Sequence, residues 1–265
     1  YTKKMQATFE NNKEFTKLIG VISAFDTSFI LKCSKSGIRI FCLDGSKTSV
    51  IEVILPVRYF KQYSFNCQVD NLDLGINVPV FIDTIKGIKK TDTFHWIAQE
   101  NGRHVKVQVD GEESQMVYDV VLMSIEEQAM EIPPMEYNIR MTLKSSMLKN
   151  WKSQICDHTG ESLVFNVEKE KLQLTSNGTN VSVKSTLCHG DSMCVTIYND
   201  PSQLTLSQKS ITMASKICDV ASEIEYGWTN GAPANFSCVI GDGGKVVMWF
   251  APQMVDDEDE DMDDT

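Results

Sequence analysis

Side chains able to do covalent chemistry are few in this chain and poorly grouped. Of the four histidines, His95, His104, His158 and His189, only the last sits in a cluster, Cys188-His189 with Asp191. Adjacent side chains on a strand point to opposite faces, so this thiol and imidazole are badly placed as nucleophile and base. There is no Gly-x-Ser-x-Gly elbow, phosphate loop or dinucleotide fingerprint. The eight cysteines (Cys33, Cys42, Cys67, Cys156, Cys188, Cys194, Cys218 and Cys238) form no Cys-x-x-Cys pair. That argues against a zinc ribbon or a dithiol motif and for small buried hydrophobes. Carboxylate pairs fall mostly in the C-terminal run, where nothing would desolvate them or raise a pKa. A non-enzymatic protein is expected, with no catalytic residue, metal or cofactor.

The second chemistry is electrostatic. Lys13 and Lys17 are four apart and share a helical face. Lys86, Lys89 and Lys90 close a second helical pattern, Lys149 and Lys152 lie three apart on a third, and Lys209 and Lys216 seven apart on a fourth. Lysine is a flexible point charge. It contacts phosphates without reading bases, which gives position and affinity but no sequence preference. Exposed helical faces carry lysines for solubility too; four such faces in one net-acidic chain favour duplex DNA. The formal charge is -11, yet eight of the nine residues from Asp256 to Asp264 are acidic. With those eight removed from the 36 acidic residues, 28 face 25 basic ones, so the body stands near -3 and has room for a local basic face. No aromatic platform is interleaved with basic residues, so single-strand stacking is not expected.

The elements that would carry these lysines occur twice. Phe15, Leu18, Ile19 and Ile22 have helical spacing. Phe29 and Leu31 follow, then a turn at Lys35-Ser36-Gly37, then Ile38, Ile40 and Cys42 in alternation. Half a chain later come Met147, Leu148, Trp151 and Ile155, then Leu163, Phe165 and Val167, a charged turn at Lys169-Glu170, and Leu172 and Leu174. Val80, Phe81, Ile85 and Ile88 suggest another helix, matched by Ile211, Ala214, Ile217 and Val220. Closing strands are read at Met116–Met123 and Lys245–Phe250. Repetition in the same order predicts an α+β chain of two similar domains, 1–122 and 139–254. Residues 123–138 read as an extended connector or a plain tether, because Pro133-Pro134 restricts the chain to extended conformations. Residues 255–265 form an acidic tail whose like charges prevent a packed core.

With 42% hydrophobic residues the chain can bury one large core or two ordinary ones. No window reaches about 18 uninterrupted apolar residues, and Tyr1–Phe9 has no long apolar run. A soluble, intracellular protein is expected, so the three Asn-x-Ser/Thr sequons at Asn177, Asn180 and Asn235 are read as chance matches.

At this point the order of features resembles a known family. Gly37-Ile38-Arg39-Ile40-Phe41-Cys42-Leu43-Asp44 resembles the signature of the DNA sliding clamps of the proliferating cell nuclear antigen type. Leu74-Gly75-Ile76-Asn77-Val78 is similar to the segment that opens their second helix, and Ile132-Pro133 with Glu136-Tyr137 to the end of their interdomain connector. Gln203-Leu204-Thr205-Leu206 and Trp249-Phe250-Ala251-Pro252 with the acidic tail resemble two C-terminal segments. The resemblance implies a DNA-clamp fold with helices lining a ring and antiparallel sheets outside. It also implies a homotrimer around double-stranded DNA, a clamp loader, and DNA polymerase and other partners bound through short peptide motifs. The lysines Lys13, Lys17, Lys86, Lys89, Lys149, Lys152, Lys209 and Lys216 become the DNA-binding set. Leu43, Lys47, Met130, Ile132, Pro133, Pro233, Trp249, Ala251 and Pro252 become the partner groove, and Tyr118 and Val181 the apolar contacts between subunits. Asp83 and Ser153 stand where the family often has basic residues, and Trp249, Met130, Lys47 and Gln253 where it more often has tyrosine, leucine, histidine and lysine. The resemblance implies a nuclear protein, or a cytoplasmic replication site for a viral one. A monomeric processivity factor of the same fold is the alternative.

Overall fold

The computed structural model describes residues 3–9, 11–125, 132–169, 171–190 and 192–253. Met130, Glu170, Asp191 and the acidic tail lie outside the described residues. The chain passes through one series of elements twice. The first pass is β1 (Lys4–Phe9), α1 (Asn12–Ile22), β2 (Ser28–Ser34), β3 (Gly37–Leu43), β4 (Ser49–Pro56), β5 (Phe60–Phe65), β6 (Asn71–Asn77), α2 (Val78–Ile85), β7 (Thr93–Gln99), β8 (His104–Asp110) and β9 (Gln115–Val121). The second is β10 (Ile139–Lys144), α3 (Ser146–Trp151), which runs through a π-helical stretch (Lys152–Cys156) into α4 (Asp157–Thr159), then β11 (Leu163–Glu168), β12 (Lys171–Asn177), β13 (Ser182–Cys188), β14 (Met193–Tyr198), β15 (Ser202–Leu206), α5 (Gln208–Ser215), β16 (Glu223–Trp228), β17 (Ala234–Ile240) and β18 (Gly244–Phe250).

Local chemistry sets these elements. Asn11, Asn77 and Ser207 accept a backbone N–H from the first turns of α1, α2 and α5, satisfying donors that a helix start leaves open. Phe15, Leu18, Ile19 and Ile22 bury one face of α1, as their spacing predicts. The second helical pattern is shorter than predicted: α2 ends at Ile85, Val80 is 51% exposed and Ile88 lies beyond the helix. Phe81 and Ile85 alone anchor it from the predicted set. After α5 the chain tightens into a 3-10 turn, Lys216–Asp219, before Val220. The strands alternate buried positions with half-buried or exposed ones, as in β2 and β12, so one face of each sheet lies on the core.

Strand order makes the repeat visible. Five strands run β5-β1-β7-β8-β9, and four run β13-β12-β11-β15. Nine strands run β14-β10-β16-β17-β18-β4-β3-β2-β6, because β18 of the second pass pairs antiparallel with β4 of the first, Phe250 opposite Ser49 through Lys245 opposite Ile54. The helices form one layer across this junction: α1 packs beside α2 and beside the 216–219 turn, and α5 packs beside α3. The ring of Phe25 lies 6.1 Å from that of Phe250, joining the two passes inside the core.

An ion pair with one buried partner, the carboxylate, ties the same junction. Asp44, at the end of β3, is 1% exposed. Its carboxylate accepts the backbone N–H groups of Thr48 and Ser49 at 2.9 and 2.8 Å and the hydroxyl of Ser46, and meets Lys209 Nζ of α5 at 2.6 Å. Burial opposes its charge, but the Lys209 ammonium and these donors outweigh burial and hold the carboxyl down at about 2, from an ordinary 3.8. The folded value lies below the unfolded one, so the stabilisation is full above roughly pH 4 and is lost as pH falls toward 2. Asp44→Asn should lower stability by about 2 kcal/mol at pH 7. Urea melts should show the gap from the parent protein closing between pH 4 and pH 2.

Candidate functional site

The predicted lysines lie on the solvent side of the helical layer. Lys13, Lys17, Lys86, Lys89, Lys149, Lys209 and Lys216 are exposed and Lys152 is half-buried. Their charges are not equally available. Lys86 pairs with Asp83 at 2.7 Å, Lys149 with Asp219 at 3.0 Å, Lys152 with Asp157 at 2.7 Å and Lys209 with Asp44 at 2.6 Å. The Asp219 carboxylate holds the Lys149 ammonium above the usual lysine range. Among the described residues Lys13, Lys17, Lys89 and Lys216 have no carboxylate partner. Lys86, Lys89 and Lys90 lie in the loop after α2, and Lys216 in the turn after α5, so the second and fourth lysine sets sit partly at helix ends.

The outer face of the nine-stranded sheet carries the second candidate site. The residues next to the core-facing ones point outward, and one outward row runs Leu43, Val50, Trp249, Asn235, Gly227 across β3, β4, β18, β17 and β16. The chain between the two passes lies on this face at two glycines. The Gly75 carbonyl of β6 accepts the Met123 N–H at 2.9 Å, and a Cβ at Gly75 would stand 2.2 Å from the Met123 carbonyl oxygen and 3.0 Å from Ile125. At the other end the Tyr137 ring lies on Gly227, where a Cβ would stand 2.9 Å from it. Only glycine leaves room for such approaches within a strand. Between that end and the sheet opens a cleft of about 560 Å³, lined in part by Ile132, Pro133, Tyr137, Val247 and Trp249.

The structure thus brings Ile132, Pro133 and Trp249 together at one cleft. Leu43 shares the Trp249 row, with Val50 between them. Lys47, exposed and with a φ of 58°, belongs to the turn whose Thr48 carbonyl accepts the Ala251 N–H at 2.8 Å. Pro233 immediately precedes β17, and Pro252 is followed by Gln253, whose N–H donates to the Thr205 carbonyl at 2.9 Å. None of Leu43, Lys47, Pro233, Ala251 and Pro252 lines the cleft itself. Met130 lies outside the described residues. Sequence reasoning missed Val50, a β-branched residue between Ser49 and Ile51, and the Asp44–Lys209 pair, 165 residues apart. It also missed Gly227, although an isolated glycine in a strand signals a close approach of other chain.

Tyr118 and Val181 sit at two sheet edges. β9, half-buried at Tyr118, is the last strand of the five-stranded sheet, and Val181, 46% exposed, precedes β13, the first strand of the four-stranded one. Among the described residues Cys188 is exposed on β13, and no group of three or more His, Cys, Asp or Glu side chains could hold a metal ion.

Residues 4–131 match the family described as the proliferating cell nuclear antigen N-terminal domain. The DNA polymerase sliding clamp 3 of Sulfurisphaera tokodaii is 21% identical over 243 residues, 90% of this chain and 95% of that protein. The proliferating cell nuclear antigen of Chaetomium thermophilum is 21% identical over 262 residues, 96% and 100% of the two chains. The crystal structure of the Entamoeba histolytica proliferating cell nuclear antigen superposes with a TM-score of 0.87 at 19% identity, covering 96% of this chain and 100% of that one.

The connector geometry predicts that Gly75→Ala, which forces a methyl group against backbone, destabilises the protein by about 2 kcal/mol. Urea unfolding measures that cost. Faster amide exchange at Met123, whose N–H bonds to Gly75, would locate it.

Proposed function

Given that the chain is a divergent member of the sliding-clamp family, we propose that it closes head to tail into a homotrimeric ring around duplex DNA. On this reading it is a non-catalytic processivity factor that recruits DNA polymerase and other partners through the connector groove, with a loader opening the ring. The domains are then 1–122 and 139–254 with the connector 123–138 between them, and the site of action is the nucleus or, for a viral chain, a cytoplasmic replication site.

One observation carries the proposal. Within the chain, β18 pairs with β4, while their counterparts in the repeat, β9 and β13, end their sheets. Unpaired edges are a liability unless another strand covers them. The internal ladder supplies the register for that cover. Matching Met141–Tyr226 to Ala7–Trp96 puts Tyr118 in the place of Met248. Matching Phe165–Leu174 to Leu31–Ile40 puts Val183 in the place of Ile51. Met248 pairs with Ile51, so Tyr118 would face Val183 of a second copy, and Val120 would face Val181. A contact between two different surfaces propagates head to tail and closes into a ring if the rotation allows; the count of three comes from the family.

Light scattering over a range of concentrations should give the mass of three chains, and Tyr118→Asp with Val181→Asp should reduce it to one. A single-chain mass for the parent protein at every concentration would overturn the stable ring in favour of a monomeric processivity factor.

Inside such a ring the unpaired lysines do most of the electrostatic work. Replacing Lys13 or Lys17 with Ala should weaken binding to duplexes of any sequence and flatten the slope of log affinity against log salt by about 1. The same change at Lys149 or Lys152, each neutralised by its own carboxylate, should flatten it less. Fluorescence anisotropy from low to moderate salt reads both.

The groove reading rests on an apolar floor beneath an extended connector. Family partners insert a short motif with a glutamine, an aliphatic residue and two aromatics, and a few buried aromatics carry most of such binding energy.

A further inference from the structure

The chain leaves β18 as it leaves β9. The Met123 N–H donates to the Gly75 carbonyl of β6, and the Gln253 N–H donates to the Thr205 carbonyl of β15, each at 2.9 Å. In the repeat these are the same bond. The register that puts Tyr118 in the place of Met248 puts Met123 in the place of Gln253, and the register that matches Phe165 to Leu31 matches Thr205 to Gly75. Both covered positions break the alternation of their strand: Leu74, Gly75 and Ile76 are all buried in β6, and Leu204, Thr205 and Leu206 in β15. From Gly75 the connector crosses the outer face of the nine-stranded sheet. From Thr205 the equivalent path crosses the outer face of the four-stranded sheet, over Val164 of β11, Thr175 of β12 and Lys184 of β13. In the ring proposed above, that path continues onto β9 and β8 of a second copy.

The two floors differ in charge. Where the connector path has Glu52 of β4, the equivalent residue of β13 is Lys184; where it has Asn235 of β17, the equivalent residue of β8 is Lys106. Both lysines are exposed and, among the described residues, have no carboxylate partner. Asp119, in the place of Trp249, is the opposing charge on the path. Three residues after Gln253 the acidic run Asp256–Asp264 begins. An extended chain covers about 3.3 Å per residue and neighbouring strands lie about 4.8 Å apart. About four residues therefore carry the chain from β15 to β13, and about three more to β8 of the next copy. That brings Asp256–Glu258 to Lys184 and Asp259–Asp261 to Lys106.

We propose that the acidic run docks as a second connector, on Lys184 of its own chain and on Lys106 of the next copy, and so bridges the contact between copies from outside. The Lys106 half rests on the ring reading above; the Lys184 half does not. This course also keeps the run on the face of the sheets opposite the helical lysines. Exposed ion pairs are individually weak and screened by salt, so the docking is strongest at low ionic strength.

Two readouts test the docking on the full chain. Carbodiimide joins a carboxylate to a lysine amine only where the two touch, and mass spectrometry of a protein assembled from isotope-labelled and unlabelled chains tells bonds within a chain from bonds between chains. The acidic run should join Lys184 within a chain and Lys106 between chains at low salt, and lose most of both at high salt. A glutamate-specific protease reads the same docking as the rate of cleavage after Glu258 and Glu260. Lys184→Glu should raise that rate about threefold at low salt and leave it unchanged at high salt, where the parent protein is equally open. Both lysines are exposed, so the variants should fold as the parent does, which thermal melts verify. Joining of the run to Lys13, Lys17 or Lys216 in place of Lys184, or a cleavage rate indifferent to Lys184→Glu, would overturn the docking. Bonds to Lys184 alone in a protein whose mass is three chains would overturn the bridge between copies. If the parent protein has the mass of one chain, the ring reading fails, while the Lys184 bonds and the Lys184→Glu rate still decide whether the run docks on its own chain.

Discussion

The antiparallel ladder between β4 and β18 decides how the rest of the molecule is arranged. Six residue pairs, from Ser49–Phe250 to Ile54–Lys245, merge parts of the two passes into a nine-stranded sheet. Backbone pairing fixes distance and register together, because a slip of one residue would turn every side chain to the opposite face. With that register, Ile51, Val53, Met248 and Phe250 all point into the core, and Val50 and Trp249 meet on the outside. Asp44 and Lys209 stand beside this ladder, and their ion pair joins the turn before β4 to the start of α5. A buried carboxylate is costly unless several donors satisfy it. Here two N–H groups, a hydroxyl and an ammonium do so.

The same ladder gives the molecule its polarity. A twofold-repeated chain that uses one junction internally leaves the equivalent strands at its two ends. β9 and β13 occupy those places, and the exposed apolar residues Met116, Val117 and Val121 of β9 and Val181 just before β13 are what a covered edge would carry. Electrostatics run alongside this geometry. The chain is net acidic, yet its helical layer presents lysines, and half of the predicted set is internally neutralised by Asp83, Asp219, Asp157 and Asp44. Such a sparse set of point charges can contact phosphates but carries no sequence information.

The connector follows from close packing against backbone. Gly75 and Gly227 each leave a gap that the connector fills, with the Met123 carbonyl and Ile125 at one and the Tyr137 ring at the other. Backbone lying on backbone has little tolerance for displacement. The cleft is therefore shaped at one end by the contact between the Tyr137 ring and the Gly227 backbone.

Much of this was legible in the chain itself. Helical spacing at Phe15, Leu18, Ile19 and Ile22, alternation through Ile38, Ile40 and Cys42, and their recurrence half a chain later declared the repeat, because periodicity is a local consequence of which face each element buries. The end of α2 was not legible: Val80 and Ile88 fit the apolar spacing, but tertiary packing buries only Phe81 and Ile85 from that set. The exposure of the lysines was readable, although Lys86, Lys89 and Lys216 lie past the helix ends; their neutralisation was not, since Asp219 lies 70 residues from Lys149 and Asp44 lies 165 from Lys209. Likewise Leu43, Ile132 and Trp249 could be singled out by type and position, while Val50 and Gly227 could not. The sequence by itself determined the elements, their order and which face of each is apolar, for these depend on neighbours a few residues away. Only the tertiary structure decided which charges are spent on one another, which glycines admit the connector and which sheet edges are left unpaired. Those depend on strand register across the β4–β18 junction, between residues nearly two hundred positions apart.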